Sequence, residues 1–178
     1  MRTVTGKVFG IGIGRTGTLS LTYALRELGY KTVHYPQVPL MPELLEYMKG
    51  YEAGSDSPIA VYYKHLDKAF PNSKFIVTTR SLKTWMRSCR KFRRFHRVLK
   101  GDTGKIRIMM YGSSTFDRLI WKTAFLEHNL NVLEYFKDRD DLLIMDFSKG
   151  DGWKELCEFL NKEIPNKDFP HRNKTRIS

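Results

Sequence analysis

The chain reads as an α/β protein built on a parallel sheet covered by helices on both faces. Three observations predict this. A short apolar run, KVFGIG at 7–12, feeds into a glycine-rich turn and then an amphipathic helix. The β-branched run KFIVTT at 74–79, bounded by Pro71-Asn72, has the strongest strand character in the sequence. Helical periods separate such runs throughout, and strands joined through helices pair in parallel. With 178 residues, 41% of them hydrophobic, and no internal repeat or low-complexity linker, a single domain over 1–178 is expected.

The elements follow in order. After the first strand, TLSLTYALREL at 18–28 is a helix, and Gly29 ends it as a C-cap. KTVHY at 31–35 is a second short strand and PELLEYMK at 42–49 a short helix. Ser57 as N-cap with Pro58 in the first turn opens a helix running to about Phe70. KFIVTT follows, and helical pattern resumes from about Leu82. A long helix over 116–136 rests on the spacing of Phe116, Leu119, Ile120, Leu126, Leu130, Leu133 and Phe136. LLIM at 142–145 is a last buried strand and WKELCEFL at 153–160 a last helix.

Thirty-one Lys and Arg against 19 Asp and Glu give a formal net charge of +12, which predicts an anionic partner without naming its class. No apolar run has the length of a membrane span, and the first strand begins within ten residues of Met1, where a signal peptide would lie. Cys89 and Cys157, far apart in helical contexts, read as reduced thiols. A cytoplasmic location is therefore expected, and the sequon at Asn173 carries no weight without a secretory route.

The stretch FGIGIGRTGTLSLTYAL at 9–25 fits anion binding, since loop and first-turn N–H groups face outward and the helix dipole favours phosphate. Gly12, Gly14 and Gly17 satisfy G-x-G-x-x-G, but a dinucleotide site needs an acid at the end of the second strand, and that strand ends Val33-His34-Tyr35. An ATP or GTP loop needs a lysine and a hydroxyl after its last glycine, where Thr18 and Leu19 stand. Leu142–Asp146 (LLIMD) does have the form of a magnesium-binding strand, which keeps a nucleoside or small-molecule kinase as one alternative. In the third reading the cation sits inside the loop, at Gly14-Arg15-Thr16-Gly17-Thr18.

That loop resembles the 5′-phosphosulfate loop of sulfotransferases that use 3′-phosphoadenosine 5′-phosphosulfate (PAPS), in the branch with R-[ST]-G-T where cytosolic members carry K-[ST]-G-T. An arginine here can reach the bridging oxygen, where charge develops as the phosphate–sulfate bond breaks, without a metal. The family also places an arginine after a central strand and a serine eight residues on, at the 3′-phosphate. Arg80, after KFIVTT, and Ser88 match that pairing, a guanidinium fork plus a hydroxyl donor. Trp85 in R-x4-W-x-R-S and GWKELCEFLNKEIPNKDFPHRN at 152–173 are similar to one P-loop-type branch; 35–55 and 100–114 match least. The resemblance implies a three-layer sandwich with a central parallel sheet, akin to P-loop nucleotide kinases. It also implies a PAPS-dependent enzyme that releases adenosine 3′,5′-bisphosphate and acts on a small-molecule or glycan acceptor. Gly14, Arg15, Thr16, Gly17, Thr18 and Leu19 would hold the 5′-phosphosulfate, and Arg80 and Ser88 the 3′-phosphate.

Sulfuryl transfer needs a base near the acceptor. His34, closing the second strand at an end expected to lie beside the glycine loop, is the first candidate, and Asp56, which also suits a helix N-terminus, the second. His65 in Lys64-His65 has a helical context that argues against it, and His96, His128 and His171 lack metal-ligand spacing. A basic helix is expected over 87–107, with nine Lys or Arg against the single acid Asp102; it is either a solvated face, a border of the cleft that attracts PAPS or an anionic acceptor such as a sulfated or carboxylated glycan, or a membrane-docking surface. Phe92 and Phe95 interleave with it, but no nucleic-acid motif accompanies them. A non-catalytic binding protein for an anionic partner is the second alternative.

Overall fold

A computed structural model describes residues 6–38 and 40–171. The sequon at Asn173 and the end of the FPHRN segment lie outside the described residues. In chain order the elements are β1 (Val8–Gly10), α1 (Thr18–Glu27), β2 (Thr32–His34), α2 (Glu43–Lys49), β3 (Ala53–Ser55), α3 (Ser57–Val61) and α4 (Tyr63–Ala69). Then come β4 (Lys74–Thr78), α5 (Leu82–Lys91), a 3₁₀ turn (Arg93–His96), α6 (Gly101–Tyr111), α7 (Arg118–Tyr135), β5 (Leu142–Met145) and α8 (Trp153–Leu160). The sheet is parallel throughout, in the order β2-β3-β1-β4-β5. All five strands therefore end on one side, and the glycine loop leaves the central strand.

Strand alternation splits the core into two layers. Phe9, Phe75 and Val77 pack with Leu44, Met48, Ile59, Leu66, Val132 and Phe136 on one face. Val8, Ile76 and Met145 pack with Leu21, Leu25, Trp153, Leu156 and Leu160 on the other. A third cluster, Ile13, Trp85, Cys89, Phe95, Tyr111, Trp121 and Phe125, sits beneath the glycine loop and ties α5, α6 and α7 together. Helix α1 closes as predicted: Gly29 at φ 88° donates to the Arg26 carbonyl while Tyr30 donates to Leu25, a Schellman ending.

Four expectations change. Strand β3 was not foreseen; its Ala-Gly-Ser has little strand propensity and is held only by pairing with β1 and β2 on either side. The helix after Ser57 breaks at Tyr62 into α3 and α4, and its cap is Asp56, whose carboxylate accepts from the Ser57 amide. The basic stretch is not one helix: α5 stops at Lys91, and the 3₁₀ turn and Lys100 separate it from α6. Helix α7 starts at Arg118, because Asp117 caps the Leu119 and Ile120 amides, and it buries a different face. Trp121, Phe125, His128 and Val132 point inward, while Leu119, Ile120, Leu126, Leu130 and Leu133 are exposed.

Candidate active site

Thr18 opens α1 immediately after Gly17, whose φ of 113° and missing side chain leave the helix N-terminus without a side-chain cap. The first amides of a ten-residue helix thus face the cleft, a ready site for an anion. Arg15, also left-handed at φ 73°, bends the loop so that consecutive N–H groups converge. Two glycines are required sterically. A Cβ on Gly12 would lie 2.1 Å from Thr78 Oγ1, and one on Gly17 would lie 2.4 Å from the Phe147 ring.

The loop is fixed from below. Thr16 Oγ1 donates to the Ile13 carbonyl (2.6 Å) and meets Thr78 Oγ1 at 2.7 Å, so loop and β4 share a buried hydroxyl pair. The Trp85 indole N–H donates to the Gly14 carbonyl at 2.9 Å, which is what α5 contributes from inside. Arg15 lies across the mouth: its Nε donates to Ser88 Oγ at 3.1 Å and its guanidinium stacks 4.6 Å from the Phe92 ring. Burial lowers its pKa, yet an arginine so lowered stays charged near neutral pH. Arg80, just past β4, donates from Nε to Thr84 Oγ1 (3.1 Å) and from Nη1 to the Arg15 carbonyl (3.3 Å). The two arginines and Ser88 are therefore one connected group.

On the other side of β1, Asp56 adopts φ 80° so that its carboxylate turns back to the loop. Oδ1 accepts from the Ser57 amide (2.6 Å) and hydroxyl (3.1 Å); Oδ2 accepts from Thr18 Oγ1 (2.9 Å) and lies 3.3 Å from His34 Nε2. His34 is not beside the glycine loop in the sheet, since β3 intervenes. It reaches the site through this carboxylate and two hydroxyls, Thr22 Oγ1 at 3.0 Å and Ser55 Oγ at 3.1 Å from Nδ1. An ionised Asp56 carboxylate can only accept, so the imidazole proton belongs on Nε2, toward Asp56, and Nδ1 faces the Thr22–Ser55 hydroxyl pair as an acceptor. Burial holds His34 below its ordinary pKa, outweighing the nearby carboxylate.

All ten residues singled out in the sequence (the run Gly14–Leu19, His34, Asp56, Arg80 and Ser88) line one cleft of about 1090 Å³. His65 and His128 border a separate hollow, and His128 Nε2 is bound to the Ile11 carbonyl. Asp146 does not line the cleft; its carboxylate accepts from the Ser148 amide and hydroxyl, closing the turn after β5. Arg94 and Arg107 line the cleft, as the bordering role expected for the basic stretch 87–107 implied, but the sequence did not point to Tyr35, Tyr111 or Phe147.

A family model described as a sulfotransferase domain matches residues 7–45, 39–98 and 93–177. Among relatives, the "Ava biosynthesis cluster protein M" of Aspergillus versicolor is 27% identical over 216 residues, covering 93% of this chain and 80% of that one. A crystal structure of a sulfotransferase from Alicyclobacillus acidocaldarius superposes with a TM-score of 0.60 at 16% identity, over 95% of this chain and 85% of the other, a likeness of fold. With a match that runs through almost every described element, the chain belongs to the sulfotransferase domain family.

Proposed function

We propose that the protein transfers the sulfuryl group of PAPS to an acceptor hydroxyl or amine, without a metal. The observation that carries this reading is the convergence of an uncapped helix N-terminus, Arg15, Arg80 and Ser88 in one cleft. The donor supplies a sulfuryl group on a phosphate leaving group. The Gly14–Leu19 loop holds the 5′-phosphosulfate, and Arg80 and Ser88 hold the 3′-phosphate, a group that ADP lacks. Arg15 stabilises charge on the departing phosphate oxygen as the O–S bond breaks.

Proton removal falls to the His34–Asp56 pair. Both imidazole nitrogens are engaged, Nδ1 by hydroxyls and Nε2 by the carboxylate, so Asp56 presents the basic oxygen and His34 orients it. The acceptor oxygen attacks sulfur as its proton passes to the Asp56 carboxylate. This ordering makes Asp56 the proton acceptor and His34 its positioning partner.

Thermal unfolding with adenosine 3′,5′-bisphosphate tests the donor reading. At about a hundred times its Kd the ligand adds about 2.7 kcal/mol of stability, without magnesium. Stabilisation by ADP with magnesium instead would point to a kinase. Equal indifference to adenosine 3′,5′-bisphosphate, ADP and NAD would point to a binding protein for another anion.

A further inference from the structure

One wall of the cleft has no part in holding the donor. Strand β2, which ends at His34 just before Tyr35, lies at one edge of the sheet, and β5, with Phe147 and Ser148 beyond its end, at the other. The glycine loop follows the central strand, and Arg80 follows β4. A donor held by the loop and Arg80 therefore occupies the β4 side. The β2–β3 side, where Asp56 projects, is left for the acceptor.

The wall of that side is made by Tyr35, Arg94, Phe95 and Arg107. Arg107 is only 5% exposed, yet it borders the cleft. Its Nη1 donates to the carbonyls of Arg97 (2.8 Å) and Ser114 (3.1 Å), and among the described residues no carboxylate lies within ion-pair distance of it. Burying a guanidinium without a counter-ion is costly, and here burial does lower its pKa, with Arg94 adding a like charge nearby. The Arg94 guanidinium stands 5.9 Å from the Tyr35 ring centre, and that of Arg107 stands 5.6 Å from the Phe95 ring centre. The result is a small compartment of two cations and two aromatic rings, with no acid of its own.

Its position relative to the chemistry follows from α6. Tyr111, one turn beyond Arg107 on the same helix face, brings its hydroxyl within 2.6 Å of the position a Cβ on Gly14 would take, and that position lies 3.7 Å from Asp56 Oδ1. Arg107 thus lies about 6 Å along the helix from the reacting end of the cleft.

We propose that the acceptor is an anion, a hydroxyl- or amine-bearing compound whose carboxylate, sulfate or phosphate group is held by Arg94 and Arg107 while its reacting group meets Asp56. This rests on the sulfuryl-transfer reading, and it adds the substrate class. Tyr35 and Phe95 flank the anion and favour a flat or apolar body beside it.

The test uses benzoate and benzamide as probes, equal in size and different in charge. Thermal unfolding is followed at constant ionic strength, with and without saturating adenosine 3′,5′-bisphosphate. Benzoate binds the wild-type protein about tenfold more tightly than benzamide, including when the nucleotide fills the donor side. Arg94→Met, at an exposed position, and Arg107→Gln each remove most of that preference while leaving nucleotide affinity unchanged. If Arg107→Gln fails to fold, Arg94→Met alone decides. Equal affinity for the two probes, or a benzoate preference that survives Arg94→Met, overturns the proposal. Nucleotide binding without a benzoate preference would sink the anionic acceptor and keep the donor reading. A preference that persists when the nucleotide does not bind keeps the anion compartment and removes the donor.

Discussion

Arg80 and Ser88 both bond to Arg15, but substitutions in the three should separate. Arg15→Ala removes charge aimed at the leaving oxygen, so it slows turnover far more than it weakens nucleotide binding, on the order of 10²–10³ in kcat. Arg80→Ala instead chiefly erases discrimination between adenosine 3′,5′-bisphosphate and the 5′-monophosphate, read from the ratio of their dissociation constants. Asp56→Asn lowers kcat by about 10²–10⁴. His34→Gln keeps an N–H donor for the carboxylate and retains more activity than His34→Ala, with little change in KM. Neutral His34 donates to Asp56, whereas protonated His34 pairs with it as a cation and weakens it as a base. Because burial holds His34 below its ordinary 6.5, the wild-type rate stays level down to that pH and falls below it. In His34→Gln that limb moves; an unmoved limb would remove His34 from the mechanism. The glycine loop, Arg80 and Ser88 were legible in the sequence because spacing on one strand–loop–helix unit survives folding. Arg94 and Arg107 were legible only as part of a basic stretch that could border the cleft, and Tyr35 not at all, since these three meet only when the 3₁₀ turn and α6 fold back over the end of β2.

Among the elements, α7 shows the limit of periodicity most plainly. Its length was readable, but two apolar faces compete along it, and the aromatic one won. Phe125 is 4% exposed and packs on Trp85, while its neighbour Leu126 is 42% exposed. Phe125→Ala is expected to cost about 3–5 kcal/mol in urea unfolding, and Leu126→Ala less than about 0.5 kcal/mol. Comparable losses would mean the helix is turned the other way. Strand β3 was invisible for a different reason: three small residues carry no pattern, and only their position between β1 and β2 makes them a strand. The break after α5 falls at Phe92, whose backbone turns extended (φ −85°, ψ 97°) while its ring meets Phe95 edge-on, a contact that charge counting does not register.

The molecule as a whole combines two histidines, the half-buried His34 and the buried His128, each held below the ordinary 6.5 mainly by desolvation. Folded, both prefer the neutral form; unfolded, both protonate near that value. Stability is therefore full above about pH 6.5 and declines as the pH falls below it, until the folded values are also passed. A chemical-denaturation series from pH 7.5 to 5 checks the sign, and His128→Gln should flatten the slope. No helix among the described residues is long and apolar enough to cross a membrane. The parallel sheet was implied by strand–helix alternation, but the strand order that puts β1 at its centre was not.

Arg80, Arg87 and Lys91 all face the same opening. Fixed charges of one sign around a concave mouth act at a distance, drawing in anions before any contact is made. Encounter with adenosine 3′,5′-bisphosphate should then be fast at low ionic strength and slow by an order of magnitude or more as salt shortens the screening length to about 8 Å. Escape, governed by short-range bonds, should change little. Stopped-flow association and dissociation rates across a salt series would show whether the mouth works as a funnel.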